Sequence, residues 1–386
     1  MRILIITSEF PPVIGGAGMY AHDLAIGLSK NEVEVDIITY DNGSLFSRIK
    51  KKLENNKKIK VFSLKPLIGI HFIQFLFLIM KVLKERNYDK IILSDGRAKR
   101  TFALFNPLFR DKIEKTVSVF HGNEVNSFFK HPSLLIKVLN IDKKLINLFH
   151  NQSKLITVSK NEQEIWQNFL PSLTSKIRLV MHGVNEDIFY KRDECEINKI
   201  KKRLKVPFEK KIIITASRLV KEKGQDNLLL AFREILRHDQ NSHLIILGNG
   251  DYMQTLKSIS KALNIDDHVT FVGGISRDNI ADYYSVADIF VLVSRFEESF
   301  GLVYIEAAGC GVPSIAGNLG GIKDVIIDGN NGFVVNSFNF KELEERLLAL
   351  LENEPMRLKM ALNANVMFKN NFTSEKAAKN LLKEIF

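Results

Sequence analysis

Short runs of β-branched and aliphatic residues alternate with amphipathic stretches along the chain, and the series begins twice. In the first half, such runs predict strands at residues 3–7, 34–39, 90–93, 116–120 and 155–158. The series resumes with runs at 211–216, 243–247, 269–272, 289–293 and 313–316. Apolar runs separated by helices are typical of parallel βαβ units. The sequence therefore predicts an α/β protein with two doubly wound parallel sheets.

The length of the chain also favours two domains. Its 386 residues exceed the roughly 250–300 at which a single core stops growing. Residues 190–210 are dense in charge, lack a strand pattern and include Pro207, as expected of a connecting segment. We therefore predict an N-terminal domain at 1–190 and a C-terminal domain at 191–373. A helix start at Thr373 and Ser374 predicts a terminal helix over 374–386.

Positive charge is concentrated in the first half of the chain. Residues 1–190 hold 28 Lys and Arg against 18 Asp and Glu, whereas residues 191–386 hold 27 against 26, within a net charge of +11. Such asymmetry predicts an anionic partner for the first half. We expect an anionic membrane surface or a diphosphate-bearing lipid substrate, and no nucleic acid, because no basic motif with interleaved aromatic residues is present. The candidate contacts are Lys50, Lys51, Lys52, Arg97, Lys99 and Arg100.

The sequence predicts a cytoplasmic protein with a peripheral contact at the inner face of the plasma membrane. The apolar start of the chain is shorter than the roughly 7–15 residues of a signal-peptide core. Residues 67–83 are the most apolar segment, but His71, Gln74 and Lys81 interrupt them, and they fall short of the roughly 18 apolar residues of a spanning helix. They predict a buried or membrane-grazing helix. Two cysteines, Cys195 and Cys310, are too few for a disulfide framework.

Polar and glycine-rich turns follow the strands of the second half. Arg218 and Lys223 lie on one such turn, where a guanidinium and an ammonium can hold two phosphates of a diphosphate. A helix starting near Ser299 or Gly301 would add its leading amides to this phosphate site. Glu306 lies in an apolar run of that helix, where its carboxylate can accept hydrogen bonds from ribose hydroxyls. Glu298 precedes the helix and is expected to project freely toward a sugar.

The pair Glu298 and Glu306, with seven residues between them and followed by Ala-Ala-Gly-Cys-Gly-Val-Pro, resembles the signature of family 4 of the retaining glycosyltransferases. These are the group 1 glycosyltransferases of bacterial surface glycan assembly. Further matching pieces are Phe-Pro-Pro at 10–12, Gly-Gly at 15–16, His-Gly at 121–122, Val-Gly at 272–273 and Gly-Gly at 320–321. The resemblance covers nearly the whole chain. It implies a GT-B fold, in which two facing Rossmann-like domains leave a cleft between them, and the terminal helix returns to the first domain.

The resemblance also implies roles for individual residues. Arg218 and Lys223 would bind the donor phosphates, Glu306 the ribose, and Glu298 the transferred sugar. Gly16 would let the N-terminal loop approach a phosphate closely, and His121 would contact the donor sugar or the acceptor. The nucleotide base would lie on the turn at Val272 and Gly273, and Phe300, Gly301 and Leu302 at the helix start would contact the donor. Lys323 departs from the family pattern, because many members carry Glu shortly after the glycine pair.

The expected reaction moves a hexose or N-acetylhexosamine from a UDP- or GDP-sugar to a glycan acceptor. The resemblance implies retention of configuration. Because Arg218, Lys223 and a helix terminus supply positive charge, and no Asp-x-Asp pair follows a strand, we expect neither a metal ion nor a cofactor. The acceptor is expected to be lipid-diphosphate-linked, in the biosynthesis of bacterial surface polysaccharide such as O-antigen, lipopolysaccharide or capsule.

Other classes fit parts of the sequence. Residues 16–21 formally match the G-x-G-x-x-A of a dinucleotide-binding oxidoreductase, with Asp41 following the second strand. However, the first glycine of that motif belongs in the turn directly after the strand, and here eight residues intervene. A sugar-nucleotide epimerase or a non-catalytic nucleotide-sugar binder would share the architecture.

Overall fold

The computed structural model describes residues 1–12 and 15–386, which form two compact units. Unit 1 comprises Met1–Asn185 together with Phe372–Phe386, and unit 2 comprises Glu186–Asn371. Each unit is built on its own sheet, with seven strands in unit 1 and six in unit 2. All the strand pairs in both sheets are parallel. The predicted α/β architecture of two doubly wound parallel sheets is confirmed.

The strands in the sheet of unit 1 have the order β3-β2-β1-β4-β5-β6-β7. Successive strands are added on one side of β1 up to β3 and on its other side from β4 onward, so the topological switch point lies between β1 and β4. Ligands bind at such switch points, beyond the carboxyl ends of the strands. The strands are β1 (Arg2–Ile6), β2 (Glu34–Tyr40), β3 (Ile59–Leu64), β4 (Lys90–Leu93), β5 (Thr116–Phe120), β6 (Lys154–Thr157) and β7 (Ile177–Leu179). The helices are α1 (Gly16–Lys30), α2 (Ser44–Glu54), α3 (His71–Glu85), α4 (Gly96–Leu104), α5 (Asn106–Phe109), α6 (Leu134–Val138), α7 (Ile141–Asn151) and α8 (Lys160–Phe169).

The sheet of unit 2 has the order β10-β9-β8-β11-β12-β13, with the reversal between β8 and β11. Its strands are β8 (Lys211–Ala216), β9 (Ser242–Leu247), β10 (Val269–Gly273), β11 (Ile289–Leu292), β12 (Ser314–Gly317) and β13 (Gly332–Val335). Its helices are α9 (Glu194–Leu204), α10 (Gln225–His238), α11 (Met253–Ala262), α12 (Arg277–Ser285), α13 (Leu302–Gly309), α14 (Phe340–Glu352) and α15 (Glu354–Met367). A last helix, α16 (Ser374–Ile385), belongs to unit 1.

The three strands that the sequence did not predict all lie at sheet edges. They are β3 and β7 in unit 1 and β13 in unit 2. In β3 only Ile59 and Val61 are fully buried, and β7 is three residues long. A central strand is covered on both faces and therefore reads as a continuous apolar run, whereas an edge strand does not need to. The ten predicted strands are confirmed to within a residue or two at each end.

Helix α16 packs tightly on α1. A Cβ on Gly27 would lie 1.9 Å from the carbonyl oxygen of Ser374, so only glycine permits this approach. Asn31 Nδ2 donates to the carbonyl of Glu375 at 2.9 Å. As predicted, the helix starts at Ser374, and the Thr373 hydroxyl caps it by accepting from the amide of Lys376 at 3.2 Å.

The apolar segment at 67–83 forms a loop and helix α3. The inward side of the helix, including Phe75 and Ile79, is fully buried, whereas Ile73 and Phe77 on the outer side are more than half exposed. None of the helices in the described part of the chain is long and apolar enough to span a bilayer.

Candidate functional site

In unit 2, glycine-rich loops at the carboxyl ends of neighbouring strands lie directly against one another. Gly248, after β9, has a φ of +129°, and a Cβ there would lie 1.8 Å from the carbonyl oxygen of Ser217. Gly224 has a φ of +70°, and its Cβ would lie 2.3 Å from the carbonyl oxygen of Val293. Only glycine combines these φ values with such close approaches. The turn that carries Arg218 and Lys223 is thereby held between its two neighbours.

Lys223 and Glu298 meet although 75 positions separate them in the sequence. The Lys223 ammonium forms an ion pair with Glu298 Oε1, and the two side chains are 14% and 17% exposed. The Glu298 backbone is fixed by Gly321, whose amide donates to the Glu298 carbonyl at 2.7 Å. The expectation that Glu298 projects freely is therefore wrong, because its carboxylate is already bound. An ammonium has three N–H donors, so Lys223 retains the capacity to bind a phosphate as well.

Arg218 is an exposed cation on the same turn. Among the described residues, its guanidinium has no ion-pair partner, whereas its backbone carbonyl is fixed by Gln225 Nε2 at 3.2 Å. A fixed backbone with an uncompensated guanidinium suits the bidentate recognition of a phosphate.

Helix α13 begins beside this turn in the fold, at the end of the loop that follows β11. Gly301 is its N-cap, with a φ of +92°, and Leu302 is its first helical residue. The predicted start near Ser299 or Gly301 is confirmed within a few residues. Phe300 is buried and anchors the loop. The first amides of a helix have no intrahelical acceptor and mark the positive end of its dipole, so this terminus can bind an anion.

Glu306 is held within unit 2 by two side chains. Arg277 Nη2 lies 3.3 Å from Glu306 Oε1, and Tyr284 Oη donates to Oε2 at 3.3 Å. Glu306 itself is only 8% exposed. Burial and then the charge of Glu306 raise the pKa of Tyr284 well above its usual value. Neither Arg277 nor Tyr284 was singled out by the sequence, because an arginine that opens a helix belongs to no recognisable motif.

The residues expected to bind the nucleotide base, Val272 and Gly273, lie at the carboxyl end of β10. Gly273 has a φ of +87°, and its carbonyl accepts from the amide of Gly248 at 2.9 Å. The amide of Gly274 donates to Asn249 Oδ1, also at 2.9 Å. Val272 is half-buried and is the next-to-last residue of β10. These contacts place the turn next to the glycine loop that follows β9.

In unit 1, Gly16 begins helix α1 on an open backbone surface. Among residues 1–12 and 15–386, a Cβ on Gly16 would meet no atom within 4 Å, whereas one on Gly15 would lie 2.6 Å from Glu9 Oε2. A Cβ on Gly18 would lie 2.9 Å from the Glu9 backbone. Gly18 is thus required by packing against backbone, whereas at Gly15 only the mobile end of the Glu9 side chain is close, and Gly16 leaves room for a ligand. Because residues 16–21 lie inside α1, the dinucleotide fingerprint is not in a strand-to-helix turn.

His121 follows β5 at the same edge of the sheet. Its amide donates to Glu124 Oε1 at 3.0 Å, and its ring lies 4.9 Å from the ring of Tyr20. Burial lowers the pKa of His121 to about 4, against the opposing charge of Glu124, so the ring is neutral at pH 7. Its Nε2 is buried and has no partner among the described residues. A buried, unpartnered ring nitrogen is an available hydrogen-bonding group.

Lys99 does not face an anionic partner, which corrects the sequence-based expectation. It is fully buried, its ammonium lies 3.0 Å from Glu124 Oε1, and it sits over the ring of Phe120 at 4.7 Å. A cation in such a position supports the Glu124 carboxylate that binds His121.

The other predicted basic contacts differ in accessibility. Arg97 is half-buried and donates to Tyr40 Oη at 3.2 Å. Arg100 is half-buried over the ring of Phe128, and burial lowers its pKa. On α2, Lys50 is half-buried, and Lys51 and Lys52 are exposed.

Comparisons with solved structures identify the fold. Anabaena HepE in complex with UDP superimposes with a TM-score of 0.80, at 20% sequence identity and with 99% of each chain covered. A glycosyltransferase from Rickettsia africae superimposes with a TM-score of 0.78, at 20% identity, covering all of this chain and 97% of that one. The fold is therefore GT-B, the class of proteins built from two Rossmann-like domains.

Family models match both units. The model for glycosyltransferase family 4 matches residues 14–188, and that for glycosyl transferases group 1 matches residues 196–367. The chain belongs to these family 4, group 1 glycosyltransferases. Among its relatives are N-acetyl-alpha-D-glucosaminyl L-malate synthase of Bacillus anthracis, at 26% identity over 95% of this chain and 92% of the relative, and a GDP-mannose-dependent phosphatidylinositol monomannoside mannosyltransferase of Mycolicibacterium smegmatis, at 26% over 86% and 85%. The oxidoreductase and epimerase alternatives are thereby set aside.

Proposed function

We propose that the protein is a retaining glycosyltransferase that moves a hexose or N-acetylhexosamine from a UDP- or GDP-sugar to a lipid-diphosphate-linked glycan, in bacterial surface polysaccharide assembly. Unit 2 binds the donor, and unit 1 binds the acceptor. The observation that carries the proposal is the grouping of Arg218, Lys223 and the amino end of α13 at one edge of the unit 2 sheet. Two cationic side chains and a helix dipole suit a diphosphate.

The nature of the donor is supported by relatives. HepE has been crystallised with UDP-glucose, and the mannosyltransferase of M. smegmatis is GDP-mannose-dependent. In the proposed complex, Glu306 binds the ribose, the turn at Val272 and Gly273 receives the base, and Glu298 orients the transferred sugar.

The proposed chemistry depends on stabilising the leaving group. Cleavage of the sugar–phosphate bond places negative charge on the nucleoside diphosphate, and Arg218 and Lys223 are positioned to stabilise it as it develops. Retention follows if the acceptor attacks from the leaving-group face, with a phosphate oxygen accepting its proton. The neutral His121 contacts the sugar or acceptor as a hydrogen-bonding group rather than as a cation.

The proposed acceptor is suggested by the basic excess of the first half of the chain. A diphosphate-linked lipid is anionic and is found in membranes with anionic surfaces, so both the acceptor and its surroundings would attract positive charge. Lys51 and Lys52 on α2 are accessible for such a contact, as is the half-buried Lys50.

The phosphate role is tested by single substitutions on one turn. We expect Arg218→Ala and Lys223→Ala to lower kcat/KM by about 10²–10³, the effect of losing one charge-stabilising donor. Lys221→Ala is the matched control, because Lys221 is an exposed lysine of the same turn, and it should leave turnover unchanged. Near-normal activity in both Arg218→Ala and Lys223→Ala would contradict the assignment.

A thermal-shift panel of UDP- and GDP-sugars identifies the donor. Incubation of the enzyme with the stabilising donor then tests the reaction class. Transfer should require an acceptor, with at most slow hydrolysis in its absence, whereas conversion of the donor into an isomer would indicate an epimerase.

A further inference from the structure

Helix α3 is apolar on two opposite sides. Its inward side, formed by Phe75, Leu76, Ile79 and Val82, is buried in the core of unit 1. Its outward side carries Ile73, Phe77 and Met80, all of them exposed. A helix that is apolar all round is normally covered on every side. None of the residues that the structure describes covers the outer side of α3.

The loop before α3 extends this exposed apolar area. Ile68 is completely exposed, and Leu67 and Ile70 are about half exposed. The loop leaves the carboxyl end of β3, at the sheet edge where Gly16 and His121 also lie. Contiguous apolar patches on a surface indicate an interaction site. We call this group of residues the α3 apolar surface: Leu67, Ile68, Ile70, Ile73, Phe77 and Met80.

The charges along this surface are mainly basic. Residues 65–84 contain Lys65, Lys81 and Lys84, each exposed, and no Asp or Glu, and the one acidic residue of α3 is Glu85 at its end, 4.0 Å from Lys81. On α3, the outward apolar residues are followed at helical spacing by Lys81 and Lys84, so a single stripe changes from apolar to basic along the helix. Apolar residues beside lysines favour an anionic bilayer interface. Pairing with a second copy of the same face would instead bring lysines together.

We propose that the α3 apolar surface inserts into the interface of an anionic lipid bilayer, with α3 lying parallel to the membrane plane. The proposal deepens the proposed function, and it rests on that function only for the lipid-linked nature of the acceptor. Because the loop and His121 lie at one sheet edge, insertion would hold the acceptor-binding edge of unit 1 at the depth of lipid headgroups.

Binding of the full chain to vesicles tests the proposal. We expect the protein to cosediment with vesicles of phosphatidylcholine and phosphatidylglycerol, and much less with phosphatidylcholine alone. Ile68→Glu combined with Phe77→Glu should weaken binding at least about tenfold, because two apolar side chains no longer enter the bilayer. Both side chains are exposed, so the melting temperature should stay close to that of the wild type.

Two control variants make the test specific. Leu358 and Leu362 are similarly exposed leucines on α15 of unit 2, and their replacement by Glu should leave binding unchanged. Lys81→Glu with Lys84→Glu should weaken binding more than Lys51→Glu with Lys52→Glu. This follows because right-handed crossovers place α2 and α3 on opposite faces of the sheet.

Insertion is measured directly with Ile68→Trp. The natural Trp166 is fully buried. A blue shift of the tryptophan fluorescence emission on adding anionic vesicles would therefore come from the tryptophan at residue 68. Three results would overturn the proposal: no vesicle binding by the wild type, unaltered binding by the Ile68→Glu and Phe77→Glu variant, or a dimer in solution that this variant dissociates. Sugar transfer to a soluble acceptor is measured separately. Failure of that transfer would contradict the proposed glycosyltransferase activity, whereas failure of vesicle binding would contradict only the membrane proposal.

Discussion

Replacing Arg277 by Met should destabilise unit 2 and should do so through Glu306. The two side chains are 16% and 10% exposed and 3.3 Å apart. Breaking a fully buried ion pair costs about 3–5 kcal/mol, and breaking an exposed pair costs about 0.2–1 kcal/mol. Because Tyr284 still donates to the remaining carboxylate and some solvent reaches the pair, we expect a loss of about 2–3 kcal/mol.

A double-mutant cycle measured by urea unfolding separates the pair from other effects. Arg277→Met, Glu306→Gln and the double variant are compared, with methionine chosen because it preserves packing near the ring of Phe189, which lies 5.3 Å from the guanidinium. The two losses should not add, and we expect a coupling of about 2 kcal/mol between contacting residues. Additive losses would show that the ion pair does not stabilise unit 2. If Glu306 also binds the ribose, Glu306→Gln should raise the KM for the donor.

Two further predictions concern pH and metal ions. Burial lowers the pKa of His243 to about 4, below the roughly 6.5 of an unfolded chain, so the unfolded state takes up the proton first and stability falls as pH falls from about 6.5 to 4. Between pH 7 and 4.5, the free energy of unfolding measured with urea should fall by about 2 kcal/mol less in His243→Gln than in the wild type. An unfolding free energy with the same pH dependence in both proteins would contradict this. Because Arg218 and Lys223 supply the positive charge, EDTA should leave turnover unchanged, whereas a loss restored by Mg²⁺ would show that a metal is needed.

Central strands were predictable because both of their faces are buried. The run Ile212, Ile213 and Ile214 in β8 has no exposed residue, and such a run leaves little choice of structure. The edge strand β3 alternates buried and exposed positions only at its start, and its Lys60, which follows Lys57 and Lys58 in the sequence, is typical of a surface loop. The physical cause of the difference is the cover that each strand receives, which a single sequence shows only indirectly.

The residues of the candidate site could be predicted from the sequence, but the contacts between their side chains could not. Sequence spacing pointed to Lys223 and Glu298 separately, and only the meeting of two strand-end loops brings them into an ion pair. Lys99 shows a signal that was available. It lies three and four positions before the buried Phe102 and Ala103 in α4, on the inward face of the helix. The prediction that Arg97, Lys99 and Arg100 all lie on the surface did not take this periodicity into account.

The packing of α16 on α1 also orders events during translation. The ribosome completes residues 186–371 before it makes residues 372–386, so unit 2 has its whole sequence while unit 1 still lacks a helix. Until then, the side of α1 around Gly27 has no cover. Unit 1, whose synthesis begins first, is thus the unit that finishes folding last. A nascent chain stalled before residue 372 would expose the side of α1 around Gly27 to chaperones.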